Sequence, residues 1–244
     1  MRGKGTTPPG GAGRRLRPDA LRKGSGQASG LTAKLRITEI FLSLQGETSR
    51  AGLPTTFVRL TGCPLRCVWC DTAYAFSGGR SVTRQAILER VAELGARYVC
   101  VTGGEPLAQP GCLALLTELC DAGYSVSLET SGALDISGVD RRVSKVMDIK
   151  APASGECGRN RWENLKHLGR RDEIKFVLAG ESDYEWAKHL LEERRLDRIC
   201  PVLFSPVYGK LSPTELAGRV LEDRLPVRVQ IQLHKLLWGD VQGR

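Results

Sequence analysis

Thr55-Thr56-Phe57-Val58-Arg59-Leu60-Thr61-Gly62-Cys63-Pro64-Leu65-Arg66-Cys67-Val68-Trp69-Cys70-Asp71-Thr72 joins a β-rich run to three cysteines at C-x3-C-x2-C spacing. Residues 55–60 predict a strand, and that strand delivers the cysteine loop. A structural zinc site closes its shell with four protein ligands, and a simple electron-transfer [4Fe-4S] cluster takes four cysteines. A loop with three thiols leaves one metal position open for a substrate or cofactor. Pro64, directly after Cys63, prevents a plain helix, so the loop reads as a preformed ligand cup. No second Cys-x-x-Cys is present to complete a zinc ribbon. With no signal peptide or long apolar run in sight, the expected setting is a reducing cytoplasm, without a membrane and without structural disulfides. The remaining cysteines, Cys100, Cys112, Cys120, Cys157 and Cys200, are scattered and read as small buried hydrophobes.

Working outward, strand-like and helix-like segments alternate from Leu35 onward. Strands are expected at 36–44, 55–60, 97–101, 125–129, 143–149, 173–178, 199–204 and 227–231. Helical patterns fall at 83–94, 111–122, 161–168, 182–194 and 213–223. This alternation predicts an α/β fold, an incomplete TIM-type barrel of parallel strands with helices outside. In such barrels the chemistry sits at the carboxyl ends of the strands. The marked motifs fall there: Gly103-Gly104-Glu105-Pro106, Glu129-Thr130-Ser131-Gly132 and Asp148-Ile149-Lys150.

The chain has 244 residues and a net charge of +9. Residues 1–34 hold eight Lys or Arg against one acid, Asp19. They are rich in Gly, Ser, Thr and Pro, with few apolar side chains to offset the entropy of ordering. The expectation is a disordered basic extension at 1–34 and one catalytic domain at 35–244. The latter carries only about +2, so nucleic-acid binding by the folded part is not expected.

The cysteine spacing, the aromatic Trp69 before the third cysteine, the following Asp71-Thr72 and the Gly-Gly-Glu-Pro strand end together resemble the radical S-adenosylmethionine superfamily. Leu44-Gln45-Gly46-Glu47, Thr56-Phe57-Val58-Arg59-Leu60, Glu129-Thr130-Ser131-Gly132 and Gln232-Leu233-His234-Lys235 are similar to the signatures of 7-carboxy-7-deazaguanine synthases. The resemblance spans Leu35 to the end. One departure is Thr48, where that family often carries a second glycine.

The resemblance implies a lyase that converts 6-carboxy-5,6,7,8-tetrahydropterin to 7-carboxy-7-deazaguanine with release of ammonia, on the route to queuosine and other deazapurines. It implies a [4Fe-4S] cluster on Cys63, Cys67 and Cys70, S-adenosylmethionine, and Mg2+ on Thr72. For the cofactor it points to Trp69, Gly104, Thr130, Ser131, Asp148 and Lys150. For the substrate it points to Leu44, Gln45, Gly46, Glu47, Arg59, Thr102, Glu129 and His234. A carboxylate such as Glu129 suits the N–H donors of a 2-amino-4-oxo edge, and a guanidinium fork such as Arg59 suits the substrate carboxylate. A flavodoxin- or ferredoxin-type electron donor and a homodimer follow from the same resemblance. Two other readings are weighed against it. A glycyl-radical activating enzyme shares the cysteine loop and the Gly-Gly-Glu-Pro strand but not the other signatures. A basic, metal-stabilised RNA-binding module predicts aromatic residues interleaved with a basic patch, which the near-neutral domain does not offer.

Overall fold

The computed structural model describes residues 33–239 and 241–243. The basic extension expected over 1–34 lies outside them, apart from Ala33 and Lys34, and Lys34 already opens the first strand. The strands are β1 (Lys34–Leu44), β2 (Pro54–Leu60), β3 (Arg80–Thr83), β4 (Tyr98–Gly103), β5 (Ser125–Thr130), β6 (Ser144–Ile149), β7 (Glu173–Leu178), β8 (Val202–Pro206) and β9 (Arg228–Val229). They form one sheet in the order β3-β1-β2-β4-β5-β6-β7-β8-β9. Each neighbouring pair from β2 through β9 is parallel. The sheet does not close, since β3 and β9 are its edges.

The parallel expectation fails at β1, which runs antiparallel to both β2 and β3. Only residues 45–53 separate β1 from β2, too few for the crossover that a parallel pair needs. The short strand β3 was not anticipated either. It takes in Thr83, so the helix expected at 83–94 begins one residue later, at Arg84. The stretch near 161–168 is a 3-10 turn, Trp162–His167, and Val202–Pro206 begins three residues later than expected because Leu196–Arg198 forms another such turn.

Helices α1 (Arg84–Leu94), α2 (Cys112–Asp121), α3 (Glu181–Arg194) and α4 (Pro213–Glu222) connect the strands, and α5 (Leu233–Trp238) follows the last of them. Local chemistry fixes their ends. Thr83 caps α1 by accepting a hydrogen bond from the Ala86 N–H at 3.2 Å. Pro213 occupies the first turn of α4 behind the cap Ser212.

Strand alternation divides the sheet into two chemically different faces. Val58, Leu60, Val99, Val101, Val126, Leu128, Ile174, Phe176 and Phe204 point outward into one hydrophobic core shared with the helices. The intervening Arg59, Thr102, Glu129, Asp148 and Lys175 line a cavity on the other face. Residues 45–53 turn against that inner face. Ser49 N–H donates to Glu173 at 2.9 Å, Arg50 donates to the Ser125 carbonyl at 3.2 Å, and Gln230 holds both the N–H and the carbonyl of Thr48. Thr48 itself sits at φ +71°, in the left-handed region that favours glycine.

Candidate active site

The cavity encloses about 580 Å³ and is lined by all three cysteines of the loop. β2 delivers the loop, and the end of β4 packs directly on it. The Glu105 N–H donates to the Gly62 carbonyl at 2.8 Å, and Gly104 N–H to the Leu60 carbonyl at 3.2 Å. A Cβ on Gly104 would stand 2.4 Å from the Gly62 carbonyl oxygen and 2.7 Å from Cys63 Cβ. The glycine therefore makes room for the chain's own cysteine loop, in addition to lining the cavity. Burial raises each of the Cys63, Cys67 and Cys70 thiols above its ordinary value, and the Lys150 ammonium opposes this at all three.

Lys150 is an arm of the same wall. Its Nζ lies 2.9 Å from Asp148 Oδ2. Burial disfavours its charge, but Asp148 and Cys67 outweigh burial and raise its pKa. Thr130 and Ser131 also line the cavity, with their hydroxyls directed at Glu105. That carboxylate is fully buried and accepts from Thr130 Oγ1 at 2.9 Å, Ser131 N–H at 2.7 Å, Ser131 Oγ at 2.5 Å and Leu107 N–H at 3.0 Å. Any ligand hydroxyl would meet them as acceptors. Trp69 does not line the cavity; the Lys210 ammonium lies 5.3 Å from its ring centroid. The turn from Cys67 to Cys70, closed by Cys70 N–H to the Cys67 carbonyl at 3.2 Å, puts the sulfurs on the cavity side and the indole off it.

On the opposite wall Arg59 donates from Nε to Glu39 at 2.6 Å, and Tyr74 donates to the same carboxylate oxygen at 2.8 Å. Its Nη groups make no hydrogen bond among the described residues and are available to a ligand. Glu129 receives Thr102 Oγ1 at 2.9 Å and Gln45 Nε2 at 3.3 Å. Leu44, Gly46 and Glu47 complete this side, together with His234. The His234 ring lies so close over Gly46 that a Cβ there would meet Nδ1 at 2.1 Å, and the Leu233 N–H donates to the Gly46 carbonyl at 2.9 Å. Thr72 Oγ1 donates to Asp71 at 2.8 Å rather than capping the turn that follows it.

Several cavity residues lay beyond sequence reasoning. Phe41 and Phe57 stack at 5.1 Å on the inner face of β1 and β2. Lys175 pairs with Glu47, its one signal being a charged residue inside the apolar run 173–178. The C-terminal segment contributes residues of α5, Gly239 and Val241 to Gly243 to the cavity lining.

A profile of the Radical SAM superfamily matches residues 57–150, the span from β2 to Lys150 that holds the cysteines and the three strand-end motifs. The 7-carboxy-7-deazaguanine synthase of Chlorobaculum tepidum is 47% identical over 215 residues, covering 86% of this chain and 98% of that protein. The chain belongs to the 7-carboxy-7-deazaguanine synthase family. The synthase of Thermoplasma acidophilum is 37% identical across 85% of this chain and 99% of its own length. The crystal structure of QueE from Escherichia coli matches with a TM-score of 0.69 at 25% identity, over 82% of this chain and 95% of that one.

Membership in this radical S-adenosylmethionine family implies a [4Fe-4S] cluster and S-adenosylmethionine, and the residues present fit them. The donor set is three thiols and no fourth on one wall of a cavity large enough for more than a cluster. Among the described residues no group of three or more His, Cys, Asp or Glu converges as a site for a single metal ion. No helix among the described residues is long and apolar enough to cross a membrane.

Proposed function

We propose that the chain converts 6-carboxy-5,6,7,8-tetrahydropterin to 7-carboxy-7-deazaguanine with release of ammonia, with residues 35–244 as the catalytic unit. The observation that carries this reading is the meeting in one cavity of the three thiols with Arg59 and Glu129. When bound, the cluster and S-adenosylmethionine supply the one-electron chemistry that opens the reaction by hydrogen-atom abstraction. Cys63, Cys67 and Cys70 would hold the cluster. Gly104, Thr130, Ser131, Asp148 and Lys150 would hold S-adenosylmethionine, Lys150 offering a cation to its carboxylate.

The chain's own residues orient the pterin. Arg59, fixed through Nε by Glu39, presents its remaining N–H groups as a fork for the substrate carboxylate. Glu129 accepts from the 2-amino-4-oxo edge, held in place by Thr102 and Gln45. Leu44 and Gly46 offer backbone groups, and His234 on α5 covers the ring from the C-terminal side. Thr72 would hold Mg2+ through its hydroxyl oxygen, the kind of donor a hard cation prefers. A flavodoxin- or ferredoxin-type protein supplies the electron. The protein works as a homodimer, a state supported by Leu236 and Leu237, which leave 69% and 49% of their surface exposed on α5.

The test is anaerobic reconstitution followed by incubation with S-adenosylmethionine, a reductant and the pterin, with and without Mg2+. Product detected by mass spectrometry at catalytic S-adenosylmethionine supports the reading. Cleavage of S-adenosylmethionine without any deazapurine overturns the substrate assignment and favours an activating enzyme. Equal turnover with and without Mg2+, or a Thr72→Ala variant as active as the parent, overturns the role of Thr72.

A further inference from the structure

Lys175 is out of character for its place. It lies in the middle of β7, between the core residues Ile174 and Phe176, and its side chain retains only 12% exposure. Lysine is rarely buried unless paired and disfavours strands. A buried ion pair is weak evidence for stability, since apolar replacements of both partners are often neutral or better. Packing therefore does not account for this residue.

Its surroundings do. Nζ lies 2.7 Å from Glu47 Oε2, while Glu47 Oε1 is buried with no partner in the protein. Asp148 repeats the pattern: Oδ2 meets Lys150 at 2.9 Å and Oδ1 is buried without a partner. Two carboxylates of one cavity thus each have one oxygen anchored by a lysine and the other bare. A buried acceptor left bare is unfavourable and calls for a donor. Both residues line the cavity, so the missing donor belongs to a ligand. Lys175 is the cation common to this group. Although burial works against its charge, Glu47, Asp148 and Glu129 all act on it and raise its pKa.

We infer that Lys175 is a positioning residue of the substrate pocket, holding Glu47 so that its bare oxygen accepts a hydrogen bond from an N–H of the substrate. This rests on the pterin reading above. Glu47 arrives from the β1–β2 connection, which has no regular structure of its own at that point, so a fixed cation on the sheet is what gives its carboxylate a defined position. The ligand class is a heterocycle with several N–H donors, because Glu129 and Glu47 offer separate acceptors to it. An aromatic ligand without such donors would leave Glu47 Oε1 unpaired and be rejected.

The test measures equilibrium binding of 6-carboxy-5,6,7,8-tetrahydropterin to the reconstituted enzyme loaded with S-adenosylmethionine and left unreduced, so that no turnover occurs. Lys175→Met should weaken binding by about tenfold to a hundredfold, the range of one charge-assisted hydrogen bond, and raise KM by more than it lowers kcat. Lys175→Arg should recover much of the loss. The double variant Lys175→Met with Glu47→Gln removes both charges, which guards against a folding failure, and should still bind poorly. Parental binding by Lys175→Met would overturn the inference. So would parental binding by the double variant, since Lys175 would then only offset a buried charge. If the parent enzyme itself neither binds nor converts the pterin, it is the functional reading that fails.

Discussion

Gly104→Ala separates two roles for the strand-end glycine. One is to let the backbone approach a bound cofactor; the other is to let β4 approach the cysteine loop. The geometry argues that the second is sufficient on its own. A Cβ at this position would stand 2.4 Å from the Gly62 carbonyl oxygen, 2.8 Å from its carbon and 2.7 Å from Cys63 Cβ. Ordinary contacts of carbon with such atoms lie near 3.5 Å, so the loop must retreat by roughly 1 Å. Gly62 cannot easily yield, because its carbonyl accepts from Glu105 and its N–H donates to the Ala75 carbonyl at 2.7 Å. Overpacking of this kind costs about 1–3 kcal/mol, and the first ligand of the cluster moves with the loop. Iron and sulfide content, with the visible absorption of the cluster, should therefore fall in Gly104→Ala before any S-adenosylmethionine is added. Full cluster content with only S-adenosylmethionine affinity lost would refute the steric argument.

Glu105→Ala removes the acceptor of four hydrogen bonds in a fully buried setting. It leaves buried donors of Thr130 and Ser131 unpaired, for a loss of about 3–5 kcal/mol on the scale of such orphaned groups. Urea unfolding of the cluster-free protein reads it, and a loss under about 1 kcal/mol would contradict the assignment. Thr48→Gly acts in the other direction. A β-branched residue at φ +71° is strained by roughly 1–2 kcal/mol, part of which the added freedom of glycine in the unfolded chain cancels. The variant should gain about 0.5–1 kcal/mol, and a lower unfolding midpoint would show that the Thr48 hydroxyl, which accepts from Arg50 N–H at 3.2 Å, matters more than the strain.

Thr48 also shows where the sequence was legible and where it was not. Its departure from a glycine is visible in the sequence, but the reason for a glycine is a backbone angle, which only the folded loop reveals. The strand-end motifs were readable because β-rich runs followed by Gly, Thr and Ser mark the carboxyl ends of parallel strands, and β2, β4 and β5 end there. The facing of each strand was harder. Strands of a parallel sheet are buried on both sides and read as nearly continuous apolar runs, so nothing in Glu173-Ile174-Lys175-Phe176-Val177-Leu178 states that Lys175 faces the substrate side. The antiparallel β1 hid the same way, since its direction follows from the length of the connection to β2 and not from its residues. His234 was marked by its motif, yet its seat over Gly46 depends on α5 folding back from β9, a contact some 190 positions apart in the chain that no local pattern encodes.

The division of the sheet into an apolar outer face and a charged inner face explains why so many site residues are held by other site residues. Arg59 is set by Glu39, Glu129 by Thr102 and Gln45, Glu47 by Lys175, Asp148 by Lys150, and Thr130 with Ser131 by Glu105. A single charge on this face would be unfavourable, because burial penalises the ionised form. Cations and carboxylates in alternation hold one another in place and leave oxygens and guanidinium nitrogens over for a ligand. The consequence is coupling: removing one member should alter the binding contribution of its neighbour, whereas substitutions on the outer face should affect stability alone. Substrate-binding measurements on single and double variants of Lys175 and Glu129, whose charges already act on each other, should therefore depart from additivity. Additive effects would mean that these pairs are independent local contacts and that the inner face is not one electrostatic unit.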